Sequence, residues 1–344
     1  MARRVAVVLF NLGGPDRQET VRPFLFNLFN DPAIIGLPGF LRTPLARLIS
    51  SRREEEAKGN YALMGGGSPL LPETRKQAEA LKASLSASLA GDAVEVFISM
   101  RYWHPLTDET ARAVEAFDPD QVVLLPLYPQ FSTTTSASSL KAWRELYRGG
   151  GESRTICCYP VAPGLIEAHA ALISQAIAEA GDAPLRVLFS AHGIPENRVK
   201  AGDPYQKQIV ATASAVASRL GLSDWSVCYQ SRVGPLKWLG PSTPEALKQA
   251  ARDGVGVVIS PIAFVSEHVE TLVELDMEYA ELAHELNLAP YIRVPALGVQ
   301  SAFIEALADA VIAALAREDD RPAPYGPGCA GRWAACPCQQ AERA

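Results

Sequence analysis

The stretch VGVVISPIAFVSEHVETLVELDMEYAE, residues 255–281, decides how the rest of the chain is read. Val255 to Ile259 is a short apolar, β-branched run, the composition of a buried strand. Pro261 and Ser266 punctuate it, and Ser266 is placed to cap a following helix. On that helix Val269, Leu272, Val273, Met277 and Ala280 recur at three- and four-residue steps, which predicts a core face. Glu267, Glu270, Glu274, Glu278 and Glu281 form a second stripe, with His268 near its start and Asp276 beside it. Such a stripe is ordinarily a solvated face. Two features point elsewhere. Residues 255–281 hold no Lys or Arg, so carboxylates four residues apart repel without relief. The stripe also begins where a strand ends, which is where open α/β sheets place their ligands. Oxygen ligands led by an imidazole suit a divalent cation of intermediate hardness such as Fe²⁺.

Outward from this stretch, strands and helices alternate. Arg4 to Phe10, Val94 to Ser99 and Gln121 to Leu127 read as strands, with helical patterns at Glu73 to Leu89, Thr107 to Phe117 and Ala168 to Ala180. Arg186 to Ser190, Trp225 to Gln230, Val255 onward and Tyr291 to Val294 repeat the scheme. The alternation predicts an α/β protein of parallel sheets flanked by helices. Local echoes join the halves: NLGGP (11–15) with AHGIP (191–195), SMRYWHPLT with SRVGPLKWLGPST, and VVLLPLYP with VVISPIAF. A tandem duplication of one α/β unit explains them, with the active cleft between the halves. Similar strand-turn chemistry arising by chance is the competing explanation. The expected domains are 1–160, with an insertion at about 21–67, then 161–316, then a cysteine-rich tail at 317–344.

Composition excludes several classes. A net charge of −6 and the lack of a basic tract argue against nucleic acid. The apolar run after the first arginines is short and reads as a strand rather than a leader, and no run reaches transmembrane length. A cytoplasmic protein is expected. Six cysteines are too few for a disulfide scaffold in 344 residues, which leaves metal or redox roles. The insertion DPAIIGLPGFLRTPLARLISSRR (31–53) reads either as a core helix with its loop or as an apolar lip over a pocket, able also to touch a membrane. NLGGPD and MGGGSPL fit no nucleotide fingerprint; tight turns or close backbone approach to a flat ligand explain their glycines better. His192 follows a buried strand at the same sheet edge as Glu270. A lone histidine is commonly structural, but an imidazole facing a carboxylate can take protons or hold a metal.

SAHGIP (190–195), QSRVGPLKWLGP (230–241) and FVSEHVETLVELDMEY (264–279) resemble the signature segments of ferrochelatases, which insert Fe²⁺ into a porphyrin to make haem. NLGGP, GGGSPL (65–70), MRYWHPLT (100–107) and LLPLYPQFS (124–132) match that family in the same order, over about Ala6 to Leu315. The resemblance implies two Rossmann-like, chelatase-type domains with a porphyrin cleft between them. It also implies that His192 binds the metal and accepts pyrrole protons opposite Glu270, with His268, Glu274 and Glu278 continuing an acidic path. Leu12, Tyr61 and Trp238 would line the macrocycle, and Arg101 and Tyr102 its wall. Arg53 and Ser68, with Arg52 beside them, would hold propionates, since guanidinium suits carboxylate. Protoporphyrin IX is preferred over a coproporphyrin on resemblance alone. A chelatase for another metal, or a haem or metal carrier without turnover, are the rivals. Peripheral contact with the inner membrane through Ile34 to Leu48 and a homodimer are left open.

The tail RPAPYGPGCAGRWAACPC (321–338) is too rich in Pro and Gly to build a core, yet holds Cys329, Cys336 and Cys338. A thiolate site, zinc or iron–sulfur, would order it. Cys157 and Cys158 are the candidate fourth ligands, while Cys228 reads as a core thiol. The tail resembles that of a bacterial ferrochelatase subgroup, which implies a [2Fe–2S] cluster on Cys158, Cys329, Cys336 and Cys338.

Overall fold

The computed structural model describes residues 2–232, 234–327 and 334–340. Two compact units emerge. The first comprises Met1–Tyr128, Ser132–Cys157 and Ala308–Ala323; the second comprises Pro129–Phe131, Cys158–Leu307 and the described residues from Pro324 onward.

In the first unit the order is β1 (Arg4–Asn11), α1 (Val21–Phe29), α2 (Gly39–Leu63), α3 (Leu70–Ser88), β2 (Ala93–Met100), α4 (Thr107–Phe117), β3 (Gln121–Pro126), α5 (Ser136–Leu146) and β4 (Glu152–Thr155). The strands form one parallel sheet ordered β2-β1-β3-β4. Val5 to Phe10 are completely buried, because a parallel strand is covered by helices on both faces, and so β1 reads as an unbroken apolar run. The edge strand β4 was not anticipated. Its sequence, ESRT, has no apolar pattern, and it is a strand only because it pairs with β3 from Gln121↔Glu152 to Leu124↔Thr155.

The second unit runs α6 (Pro163–Ala180), β5 (Leu185–His192), α7 (Glu196–Lys200), α8 (Tyr205–Leu220), β6 (Trp225–Gln230), α9 (Thr243–Asp253), β7 (Gly256–Pro261), a π-helix (Glu270–Glu278), α10 (Tyr279–Glu285), β8 (Tyr291–Arg293), α11 (Ser301–Leu315) and α12 (Pro337–Gln340). The C-terminal half of α11 groups with the first unit. The sheet order, β6-β5-β7-β8, repeats that of the first unit. The same turn recurs as well. The Met100 N–H donates to the Pro105 carbonyl (2.8 Å) and the Tyr229 N–H to the Pro241 carbonyl (3.0 Å), just before α4 and α9 begin. Shared order and shared turn chemistry are what an internal repeat predicts.

One expectation needs correction. The segment after β7 is not an α-helix capped by Ser266. It winds as a π-helix, seen in the five-residue bond from the Tyr279 N–H to the Glu274 carbonyl. Its wider turn changes the phase of the buried face to Thr271, Val273 and Leu275 and leaves Met277 42% exposed. The insertion divides between core and surface. Phe24, Leu25 and Phe29 of α1 are buried, whereas Leu37, Phe40, Leu41 and Leu48 remain exposed, Phe40 at 76%. Among the described residues no helix is long and apolar enough to cross a membrane.

Candidate active site

In an order such as β6-β5-β7-β8 the chain reverses direction of winding between β5 and β7, and ligands bind beyond the carboxyl ends of strands at such a switch point. His192 is the last residue of β5, and the segment carrying Glu270 follows β7. The sheet therefore brings together two residues that are 78 positions apart.

His192 Nδ1 lies 2.7 Å from Glu270 Oε2. The Ser231 hydroxyl, just past β6, lies 3.0 Å from the same oxygen and 2.8 Å from both oxygens of Glu274. Gln230 Nε2 donates to the Glu270 carbonyl (2.7 Å) and to Glu274 Oε2 (3.2 Å). His268 Nε2 stands 4.0 Å from Glu270 Oε1, and its buried Nδ1 has no hydrogen-bond partner among the described residues. Trp238 meets His192 edge-to-face at 6.3 Å, and its buried Nε1 likewise has no partner among the described residues. His192 keeps 38% of its side chain exposed, so the imidazole is open to a ligand while its Nδ1 edge is held.

The electrostatics follow from this packing. Burial disfavours the Glu270 carboxylate, but the adjacent His192 overcomes it and holds the group well below the usual carboxylate range. His192 moves the opposite way: burial opposes its cationic form, and Glu270 outweighs burial and raises its pKa. Glu274 is pushed up to about 7, by burial first and by the charge of Glu270 second. His268, buried, is lowered. Glu270 thus favours its charged form, while its neighbour Glu274 is shifted toward neutral pH.

The acidic stripe is shorter than the sequence suggested. Arg293 on β8 contacts Glu267 (2.6 Å) and Asp276 (2.7 Å), and the Ala296 N–H also donates to Glu267. Charge relief absent from residues 255–281 comes from twelve residues beyond them. Of the stripe, Glu270, Glu274 and the exposed Glu278 and Glu281 are left unpaired by Arg293.

The remaining expected residues lie in the first unit. Leu12 is partly buried after β1. The Ser68 N–H donates to the Pro15 carbonyl (2.7 Å), and a Cβ at Gly14 would fall 2.5 Å from Ser68 Oγ. The glycines of NLGGPD and GGGSPL thus let two backbone segments approach each other. Arg52 is exposed; Arg53 lies 3.9 Å from Glu56 and 6.0 Å from the Phe29 ring. Tyr61 is buried against Phe24. Arg101 and Tyr102 join a buried network: Asp31 receives Arg101 Nη2 (2.7 Å), the Tyr102 hydroxyl (2.9 Å) and the Ser138 hydroxyl.

Cys158 and Cys336 are buried and Cys338 partly so; Cys329 lies outside the described residues. Gln208 Nε2 donates to Cys158 Sγ at 3.5 Å, a donor suited to a thiolate ligand. Among the described residues no three His, Cys, Asp or Glu side chains close into a metal-holding set. Gln230 and Ser231 were not singled out from sequence. The strand order was the missing signal, since it sets the end of β6 beside His192.

A family model described as Ferrochelatase matches residues 4–315. The chain is 60% identical over 348 residues to a ferrochelatase of Caulobacter vibrioides (strain NA1000 / CB15N), covering 99% of each. It is 58% identical over 339 residues to a ferrochelatase of Phenylobacterium zucineum, covering 98% of each. Among solved structures it resembles DR2241 from Deinococcus radiodurans, a multi-domain protein with structural similarity to chelatases (TM-score 0.54, 17% identity, 94% of this chain and 57% of that one). It also resembles SirB from Bacillus subtilis with Fe³⁺ (TM-score 0.54, 10% identity, 91% and 96%). At such identities the two structures speak to the fold alone. Identity sustained over essentially the full length, with both sheets and the His192–Glu270 pair inside the matched region, leaves no ambiguity: the chain belongs to the ferrochelatase family.

Proposed function

We propose that this chain inserts Fe²⁺ into protoporphyrin IX with release of two protons, forming protohaem in the last step of haem biosynthesis. Family membership supports metal insertion for haem synthesis, and the observation that carries the mechanism is the 2.7 Å contact between His192 and Glu270. With Nδ1–H directed at the Glu270 carboxylate, Nε2 is the nitrogen with a free lone pair, ready to take a pyrrole proton. Glu270 stabilises the imidazolium that results. Glu274 and Glu278 continue toward solvent, a route for protons outward and for the cation inward. Fe²⁺, the substrate, is held by His192 and Glu270, donors of intermediate hardness, with His268 beside Glu270 on the approach path. A flat free-base macrocycle keeps its lone pairs and N–H groups in the ring plane, so binding energy must bend it before metal can enter. Trp238 beside His192 is proposed to press on the ring. Leu12, Tyr61, Arg101 and Tyr102 are further proposed porphyrin contacts, and Arg53 and Ser68 are proposed for its carboxylates.

We propose further that Cys158, Cys329, Cys336 and Cys338 hold a [2Fe–2S] cluster, which would supply an ordering centre for the tail. The Gln208 hydrogen bond and the burial of Cys158 and Cys336 support that donor set. The exposed Leu37, Phe40, Leu41 and Leu48, interleaved with Arg42 and Arg47, support peripheral contact with the cytoplasmic face of the inner membrane. A homodimer is tested by sedimentation. The direct test of function is an anaerobic assay with protoporphyrin IX and Fe²⁺, read by absorbance. Conversion of the free-base spectrum to that of haem supports the assignment; bound porphyrin without metal entry points to a carrier or another porphyrin.

A further inference from the structure

We propose that Tyr205 is a positioning residue for His192, and that the cysteine-rich tail sets its position through the first turn of α8. The inference rests on the role given to His192 above.

The backbone around His192 shows why a positioning group is needed. In a parallel strand, alternate residues direct their N–H and C=O groups to opposite neighbours. The Ser190 carbonyl accepts from the Ile262 N–H on the β7 side, and the Gly193 N–H donates to the Gln230 carbonyl on the β6 side. The His192 carbonyl, two residues after Ser190, therefore points toward β7. That strand has already ended at Pro261, and the Phe264 N–H has turned back to the Pro261 carbonyl. The Tyr205 hydroxyl fills the missing rung, donating to the His192 carbonyl at 3.1 Å. A buried phenol thus takes the place of a sheet partner at the residue whose side chain must stay aligned on Glu270.

Tyr205 opens α8, and this region is tied once to the tail and once to Cys158, which lies outside it. One tie lies just before the helix. The Ala335 N–H donates to the Gly202 carbonyl at 3.4 Å, and a Cβ at Gly202 would fall 3.0 Å from that of Ala334. Gly202 has φ +97°, so the turn accepts the tail only with glycine there. The next residue, buried Asp203, accepts the Tyr205 N–H at 3.0 Å and fixes the start of the helix. The other tie is Gln208, which bonds the Cys158 sulfur. Tyr205 and Gln208 are three residues apart, about 4.5 Å along one helix face. One turn of helix therefore separates the group that holds His192 from the group that holds a proposed cluster ligand.

The test compares the full-length chain with Tyr205→Phe, Cys336→Ser, Gly202→Ala and the Tyr205→Phe/Cys336→Ser double variant. Gly202→Ala crowds the tail without removing a sulfur, and serves if Cys336→Ser does not fold. Hydrogen–deuterium exchange is followed over 186–196 and 202–212, and kcat and KM for protoporphyrin IX are measured anaerobically with Fe²⁺. Cys336→Ser and Gly202→Ala are expected to speed exchange in both segments, and Tyr205→Phe chiefly in 186–196. Tyr205→Phe should lower kcat about fivefold with KM unchanged, the scale of one neutral hydrogen bond. The double variant should lose no more kcat than the worse single variant, because both act through one contact. Losses that multiply, or faster exchange over 202–212 with 186–196 unchanged, overturn the proposal. If the unmodified chain inserts no metal, the functional assignment fails while the exchange data still decide the coupling.

Discussion

Replacing Ser231 with alanine removes the one hydroxyl shared by the two carboxylates of the site and keeps the Cβ, so the left-handed backbone (φ 63°) carries the same strain. Ser231 lowers the pKa of Glu274 against burial and the charge of Glu270, which together raise it to about 7. Without the hydroxyl it must rise further. A hydrogen bond to a charged group contributes about 1.5–3 kcal/mol, and sharing it with Glu270 argues for the lower end, or about one pKa unit. If the path works with Glu274 ionised, the acid limb of kcat/KM moves from about pH 7 to about pH 8. Activity then falls about fivefold at pH 7, and the deficit fades by about pH 9.5. The assay is metal insertion from pH 6 to 10 at saturating Fe²⁺, taken anaerobically. An acid limb in the same place, or a deficit constant with pH, refutes the bridging role.

Other consequences follow from the same packing. Glu274 binds its proton more tightly folded than unfolded, so it costs stability as pH rises from about 4.5 to about 7. Glu274→Gln is therefore expected to be more stable than the parent at pH 8 by on the order of 3 kcal/mol, read as a higher unfolding temperature, with the gap closing near pH 4.5 and with insertion slowed. Asp31→Ala leaves the buried Tyr102 hydroxyl without its acceptor and the partly exposed Arg101 without its carboxylate, and denaturant titration should show a loss of about 2–3 kcal/mol. Phe40→Ser should leave folding stability within about 0.5 kcal/mol while weakening sedimentation with anionic vesicles. Equal vesicle binding by parent and variant would remove the membrane role of the lip.

The parts of this architecture that sequence exposes are those whose chemistry is local. β1, β3 and β7 show themselves because a strand covered on both faces must be apolar throughout. His192 and Glu270 stand out because both follow such strands. What stays hidden depends on partners distant in the chain. β4 exists only through its pairing with β3, and Arg293 neutralises Glu267 and Asp276 from the far side of α10. The π-helix shifts the buried face from the 3.6-residue period, so that period places Met277 in the core while Thr271 and Leu275 occupy it. Ser231 and Tyr205 have no signature of their own; each matters because the order β6-β5-β7-β8 ends beside it. Resemblance supplied the roles at the site, and geometry supplied their connections.

The central claim is that His192 takes the pyrrole protons while Glu270 holds its other nitrogen. His192→Ala should retain protoporphyrin IX binding, followed by the free-base absorbance and by fluorescence quenching. Haem formation with Fe²⁺ should fall at least a hundredfold, the lower end of what a general base contributes. Turnover close to that of the parent chain, with porphyrin bound equally well, would contradict the assignment and move the proton acceptor elsewhere.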